Sequence, residues 1–346
     1  MTGQQFFRPT GKSVWRGKDL AQSKDWTVSL SALALDEIER DLRRAQARGV
    51  TLDTMKRDDF PLTALQDELK AIFAEVKEGR GFALVKGLST ERYSEDELAL
   101  IYWGIGSHFG VGMPQSFLGD RLGHIRDVSD EEPDPLRRRG YHSGGAQTTH
   151  ADSCDILSML SLRQAKSGGA SRLVSIHAVH NMMLDTCPEL LAVMYRGFFT
   201  RMPDSDAEAA GRNPLSGERR PSFVARDGEL ACFHGGPYIQ RAIEAGDIVL
   251  NPEEAAALAV FTAYSNHPDL CLDMLLKPGD MQFVKNRTVF HGRAHFDDYP
   301  EKDRRRHLLR LWLSVPSWPN LDPRKDSEVE KLNWEKFAKK QAVAAE

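Results

Sequence analysis

Three short strings in this sequence carry residues able to do chemistry. In Thr149–His150–Ala151–Asp152–Ser153, residues i and i+2 of a strand share a face, so His150 and Asp152 can offer an imidazole nitrogen and a carboxylate oxygen to one ion. Alone the pair says little, because His-x-Asp is common by chance. The second string, Asn286 to Arg293, follows the turn Lys277–Pro278–Gly279–Asp280 and places Val289 and His291 on one face of an alternating segment. Two histidines and a carboxylate make the facial triad of non-haem Fe(II), which leaves three cis positions for substrate chemistry and oxygen. In the third string, Arg304 to Leu313, a strand would put Arg306, Leu308, Arg310 and Trp312 on one face and His307, Leu309, Leu311 and Leu313 on the other. Guanidinium groups on an apolar face are costly unless each meets an anion, and a bidentate carboxylate satisfies that requirement. The plainer reading of Arg310 is an ion pair with a protein Asp or Glu.

Together the strings resemble the taurine dioxygenase (TauD/TfdA) family of Fe(II)- and 2-oxoglutarate-dependent dioxygenases. The likeness runs from about Gly79 to Pro316, with Gly81 to Gly87 matching the family's first core strand and Arg306 standing fifteen residues beyond His291. It implies that His150, Asp152 and His291 bind iron and that Arg306 pairs with the distal carboxylate of 2-oxoglutarate. The family's Gly-Gly-x-Thr turn is Gly168–Gly169–Ala170–Ser171 here, so Ser171 inherits the hydroxyl role without the methyl group. By the same resemblance Arg310 contacts the anionic end of a substrate. The implied reaction consumes O2 and 2-oxoglutarate, releases succinate and CO2, and oxidises a substrate C–H bond, with hydroxylation as the default outcome. Halogenating relatives lack the carboxylate, so Asp152 argues against halogenation. Gln115, Gln147 and Tyr238 are candidates for lining the substrate pocket. The alternatives are a metal-binding cupin that does without 2-oxoglutarate, against which Arg306 and Ser171 weigh, and a non-enzymatic scaffold, which predicts no tight iron binding and no succinate release.

These residues need a framework that brings distant strands together. Beyond residue 105 the chain reads as short apolar or alternating runs broken by Gly, Pro, Asn and Asp. Strands are expected at 124–128, 150–162, 172–176, 223–226, 230–233, 281–284, 288–291 and 307–315, after a first one at 82–85. Helical stripes are Leu35, Ile38, Leu42 and Ala45, then Leu65 to Val76, with capping boxes at Thr63/Gln66 and Ser94/Glu97. Further helices are expected at 177–195 and 252–265. The expected fold is mainly β with α, a double-stranded β-helix (jelly-roll, cupin-like) core with N-terminal and inserted helices. Its parts are a helical layer at 1–78, the catalytic core at 79–318 and a tail at 319–346, all in one structural domain. No strand leads into a glycine-rich phosphate loop, which disfavours a doubly wound dinucleotide-binding sheet.

Composition limits the partners. The 346 residues carry 46 basic and 50 acidic groups, so no dominant charge favours nucleic acid. No apolar run is long enough for a membrane span, and the start lacks a signal-peptide pattern. The four cysteines show no Cys-x-x-Cys spacing. The expectation is a cytoplasmic enzyme with a small-molecule substrate, anionic by the two arginines. The loops at 111–148 and 200–222 would set specificity, 203–220 would serve as a lid, and a terminal helix at 328–343 is compatible with a homo-oligomer. His177 and His180 are expected to be packing residues, since no Cys or acidic partner is spaced with them.

Overall fold

The computed structural model describes residues 6–115, 120–130, 143–204, 207, 208, 211, 213–319 and 321. Its helices are α1 (Gly17–Leu20), α2 (Ala32–Ala47), α3 (Gln66–Glu78), α4 (Glu95–Gly106), α5 (Ile176–Thr186), α6 (Pro188–Arg196), α7 (Gly236–Glu244) and α8 (Pro252–Ser265). The strands are β1 (Thr27–Ser29), β2 (Phe82–Lys86), β3 (Val111–Gly112), β4 (Leu122–Ile125), β5 (Gln147–His150), β6 (Ile156–Arg163), β7 (Ser167–Gly168) and β8 (Ser171–Ser175). They continue with β9 (Phe223–Arg226), β10 (Glu229–Cys232), β11 (Cys271–Met274), β12 (Met281–Lys285), β13 (Val289–Arg293), β14 (Phe296–Asp297) and β15 (His307–Ser314).

Local signals explain most helix starts. Ser31 Oγ accepts the Ala34 N–H at the start of α2, and Ser94 and Glu97 close their capping box on α4. The box expected from Thr63 and Gln66 does not form. Instead Glu37 of α2 accepts the N–H groups of Ala64 and Leu65, at 2.8 Å each, and Asp41 accepts that of Leu62. Carboxylates from a neighbouring helix thus satisfy the free donors at the start of α3 and sit favourably against its dipole. The helix expected over 177–195 is two helices, α5 and α6, because Cys187 precedes Pro188 and takes a non-helical backbone. The strand expected at 150–162 is also divided: β5 ends at His150, β6 begins at Ile156, and Asp152 lies in the connection.

Two antiparallel sheets carry the core. The larger has the order β1-β2-β12-β6-β15-β3, with β4 also on β15 and β1 joining β2 in parallel. The smaller has the order β11-β8-β13-β5. Alternation sorts their side chains into layers. Phe82, Leu84, Leu157, Val284 and Leu308 of one sheet meet Leu173, Leu272, Met274 and Val289 of the other in a single buried cluster. The opposite face of the larger sheet, including Ala83, Ile156, Leu160, Phe283, Leu309 and Leu311, packs on α2, α3 and α4. Val174, Cys271 and Phe290 on the outside of the smaller sheet pack on α5, α6, α7 and α8. This sandwich is the expected jelly roll. The N-terminal segment adds β1 to the sheet, and α1 lies on β11, where Gly17 has no room for a side chain: a Cβ would fall 1.9 Å from the Cys271 carbonyl oxygen.

His177 and His180 are packing residues: His177 bonds Ser13 and the Leu230 carbonyl, and His180 bonds the Tyr195 hydroxyl. The expected tail helix at 328–343 lies outside the described residues, as do parts of the expected lid and of the 111–148 loop. Among the described residues no helix is long and apolar enough to cross a membrane.

Candidate active site

The site forms where β5 and β13 pair. His150 and His291 are directly opposite across the two strands, and their ring centroids are 4.4 Å apart. Gly292 lets the strands approach this closely: a Cβ there would lie 2.7 Å from the Gln147 carbonyl oxygen. Asp152, two residues beyond the end of β5, is held by Asn286. The Asn286 amide oxygen accepts the Asp152 N–H at 3.0 Å, and its NH2 donates to the carbonyls of Asp152 and Cys154.

One Asp152 oxygen is 3.8 Å from His150 Nε2 and the other is 3.8 Å from His291 Nε2. One ligand atom from each of the three residues falls within 4.8 Å of the others, a grouping that could hold a metal ion. Solvent reaches the site from the His150 side, whose side chain is 31% exposed against 8% for His291. His150 Nδ1 donates to the Thr148 carbonyl at 2.8 Å, which fixes the tautomer and leaves the Nε2 lone pair for a metal. Burial, then the neighbouring His150, push the His291 pKa down to about 3, so its ring is neutral and also able to donate a lone pair. Burial works to raise the Asp152 pKa, but Arg310, His291, His150 and the Trp312 N–H together outweigh it and hold it at about 2. The donor set and its protonation state fit a non-haem Fe(II) ion.

A second feature lies deeper, at the other end of β13. Arg293 is paired with Ser171 across β13 and β8, and its strand parity puts it on the inner face with His291. Arg306, just ahead of β15, is buried as well. Their guanidinium carbons lie 4.6 and 5.1 Å from the centre of the Phe296 ring. Arg293 gives one nitrogen to the carbonyls of Ser143 and Gly145, while its Nε and Nη1 and the Nη1 of Arg306 are buried with no protein acceptor. Burial first, then the neighbouring Arg293, push the Arg306 pKa down to about 10, and burial does the same to Arg293; both remain charged at neutral pH. Gly169, at φ +72°, lets the turn fold over this group, since a Cβ would stand 3.2 Å from Arg306 Nε. Two buried cations with unfilled donors fit a carboxylate ligand.

Arg310 has a different setting. Its Nη1 is 3.1 Å from Asp152 Oδ2, and its Nε donates to Gln115 Oε1 at 2.8 Å. The plainer expectation of an ion pair with a protein carboxylate therefore describes it, and that carboxylate belongs to the triad. Gln115 is buried beside it, Gln147 begins β5 opposite Arg293, and Tyr238 is 40% exposed on α7. Ser171 is buried with its hydroxyl 3.4 Å from Gln282 Oε1. Asn286, Arg293 and Trp312 stand in the same strings as the expected site residues, yet their contacts depend on strand register that no single string reveals.

A profile described as the taurine catabolism dioxygenase TauD, TfdA family matches residues 41–312. The chain belongs to the TauD/TfdA family. It is 30% identical over 312 residues to FR-33289 synthase of Streptomyces rubellomurinus (strain ATCC 31215), covering 88% of this chain and 90% of that one. It is 28% identical over 297 residues to uridine-5'-phosphate dioxygenase of a Streptomyces species, covering 79% and 96%. In fold it is similar to the non-haem iron oxygenase OrfP, solved with Fe and alpha-ketoglutaric acid, with a TM-score of 0.61 at 15% identity over 83% of this chain and 93% of that one. This TauD/TfdA protein is a non-haem Fe(II)- and 2-oxoglutarate-dependent oxygenase that uses O2 to hydroxylate a small-molecule substrate.

Proposed function

We propose that His150, Asp152 and His291 hold the iron, that Arg306 with Ser171 receives the distal carboxylate of 2-oxoglutarate, and that the substrate is a small molecule bearing an anionic group. The convergence of the three ligand atoms carries the reading. The unfilled donors of Arg306 and Arg293 support the cosubstrate site, because each leaves a buried cation that one ligand carboxylate would satisfy. A cupin that dispenses with 2-oxoglutarate has no use for that pair.

Iron, when bound, supplies the redox chemistry by which O2 and 2-oxoglutarate become succinate and CO2 while a substrate C–H becomes C–OH. The protein's part is to hold and to orient. The Thr148 carbonyl fixes His150, the β5–β13 register sets the histidine spacing, and Asn286 fixes the backbone that carries Asp152. Arg306 would orient the cosubstrate by its far end, away from the open side at His150. Such placement by charge and by paired hydrogen bonds is worth several kcal/mol of the barrier.

One observation supports an anionic substrate. Uridine-5'-phosphate dioxygenase acts, by its name, on a phosphate-bearing molecule. Gln147 and Tyr238 are the candidates for substrate contact. The four cysteines are free and buried, in keeping with a reducing, cytoplasmic compartment. The test is a screen of anaerobically iron-loaded protein for 2-oxoglutarate-dependent oxygen uptake with nucleoside monophosphates, sulfonates, amino acids, small carboxylic acids and neutral aromatics. A phosphate-, sulfonate- or carboxylate-bearing compound should stimulate uptake; stimulation by neutral compounds alone would overturn the anionic part and leave the oxygenase intact.

A further inference from the structure

The two oxygens of Asp152 have different surroundings. Oδ2 accepts the Trp312 indole N–H at 2.8 Å and Arg310 Nη1 at 3.1 Å and lies 3.8 Å from His291 Nε2, while Oδ1 faces His150 Nε2 at 3.8 Å. A carboxylate oxygen has two lone-pair positions, and two directed donors fill both on Oδ2. Arg310 and Trp312 are two residues apart on β15, so they project from the same face. Arg310 is itself fixed. Its Nε donates to Gln115 Oε1, and Gln115 Nε2 donates in return to the Arg310 carbonyl at 2.7 Å and the Arg121 carbonyl at 3.0 Å. Arg310 and Gln115 are both buried, so water does not compete for these bonds.

We propose that Arg310 and Trp312 are positioning residues that reserve Asp152 Oδ2 for the protein, so that Asp152 binds the metal through Oδ1 alone, with Gln115 setting the angle of the guanidinium. The proposal rests on the triad reading above. Its consequence is a coordination count. Monodentate Asp152 takes one position, so the protein takes three and leaves three for cosubstrate and oxygen; a chelating Asp152 would take one of those. It also gives Arg310 a task other than gripping a substrate anion, and it makes a neutral indole at position 312 part of the metal site's geometry.

The probe is Mn(II) alone, bound to the intact protein, with solvent-proton relaxation reporting how many exchangeable waters the ion carries. Trp312→Phe keeps an aromatic ring and deletes the N–H; Arg310→Met keeps a long side chain and deletes the donor. Each frees a lone pair on Oδ2, and each should lower the water count on bound Mn(II) by one relative to wild type. An unchanged count in both variants, with wild-type melting behaviour, overturns the proposal. If Arg310→Met fails to fold, Trp312→Phe decides alone. An Asp152→Ala protein that binds Mn(II) as tightly as wild type would instead overturn the triad reading.

Discussion

Arg293 and Arg306 hold two guanidinium groups within 4.6 and 5.1 Å of the centre of one ring, Phe296, and between them leave three buried nitrogens without a protein acceptor. Among the described residues no salt bridge to a protein carboxylate relieves either one. Like charges brought together in this way are costly unless an anion lies with them.

The first prediction concerns that anion. Arg306→Ala should raise the concentration of 2-oxoglutarate needed for binding to Mn(II)-loaded protein about 10–100-fold, the value of a charge-assisted contact of about 1.5–3 kcal/mol. Metal affinity should change little. Calorimetric titration of 2-oxoglutarate checks both, and an unchanged dissociation constant would move the anion site elsewhere.

Asn286 is fully buried and makes three bonds to the segment that carries Asp152. Asn286→Ala strands the Asp152 N–H and the Cys154 carbonyl, while Arg287 still donates to the Asp152 carbonyl, at roughly 1–3 kcal/mol for a buried group left unsatisfied. We expect a lower melting temperature and weaker metal binding together. Weakened metal binding with unchanged melting would mean that the segment stays ordered without Asn286.

Gly292 fixes the distance between β5 and β13. Gly292→Ala should push the strands apart, since its Cβ would meet the Gln147 carbonyl oxygen at 2.7 Å, and metal binding should weaken in consequence. Chelator competition with Mn(II) measures this directly. Wild-type affinity would show that the crossing can relax without disturbing His150 and His291.

Burial holds His177, His180, His234 and His307 at a pKa of about 4 against an ordinary value near 6.5, and the pH dependence of stability follows. The unfolded chain then binds more protons than the folded one between these values. Their contribution is present above about pH 6.5 and is lost as pH falls toward 4, on the order of 3 kcal/mol per histidine. Urea unfolding should show the midpoint falling through this window. His177→Gln should flatten the fall, and an equally steep fall in that variant would assign it to other groups.

The sequence was informative where a feature depends on neighbours along the chain and less so where it depends on register. The Ser94–Glu97 cap, the Ile38–Leu42–Ala45 stripe and the strand at 223–226 are local, and each is found as expected. Thr63 does not cap α3; the chain enters that helix with the Ala64 and Leu65 N–H groups held by Glu37, on another helix. The His-x-Asp spacing predicts one strand, yet Asp152 lies past its end and owes its position to Asn286, over a hundred residues away. Arg310 was legible as an arginine in need of an anion; that Asp152 is the anion it meets follows only from the fold. Cys154, two residues beyond Asp152, is buried, and burial keeps its thiol protonated and so poorly reactive.

The triad of His150, Asp152 and His291 carries the proposed chemistry. The decisive measurement is the succinate released from 2-oxoglutarate, in the presence of Fe(II), O2 and a substrate found by the screen, for wild type beside Asp152→Ala and His291→Ala. Iron-dependent succinate from wild type, with none above the protein-free background from two variants that melt as wild type does, is the predicted result. Wild-type levels of succinate from Asp152→Ala would contradict it.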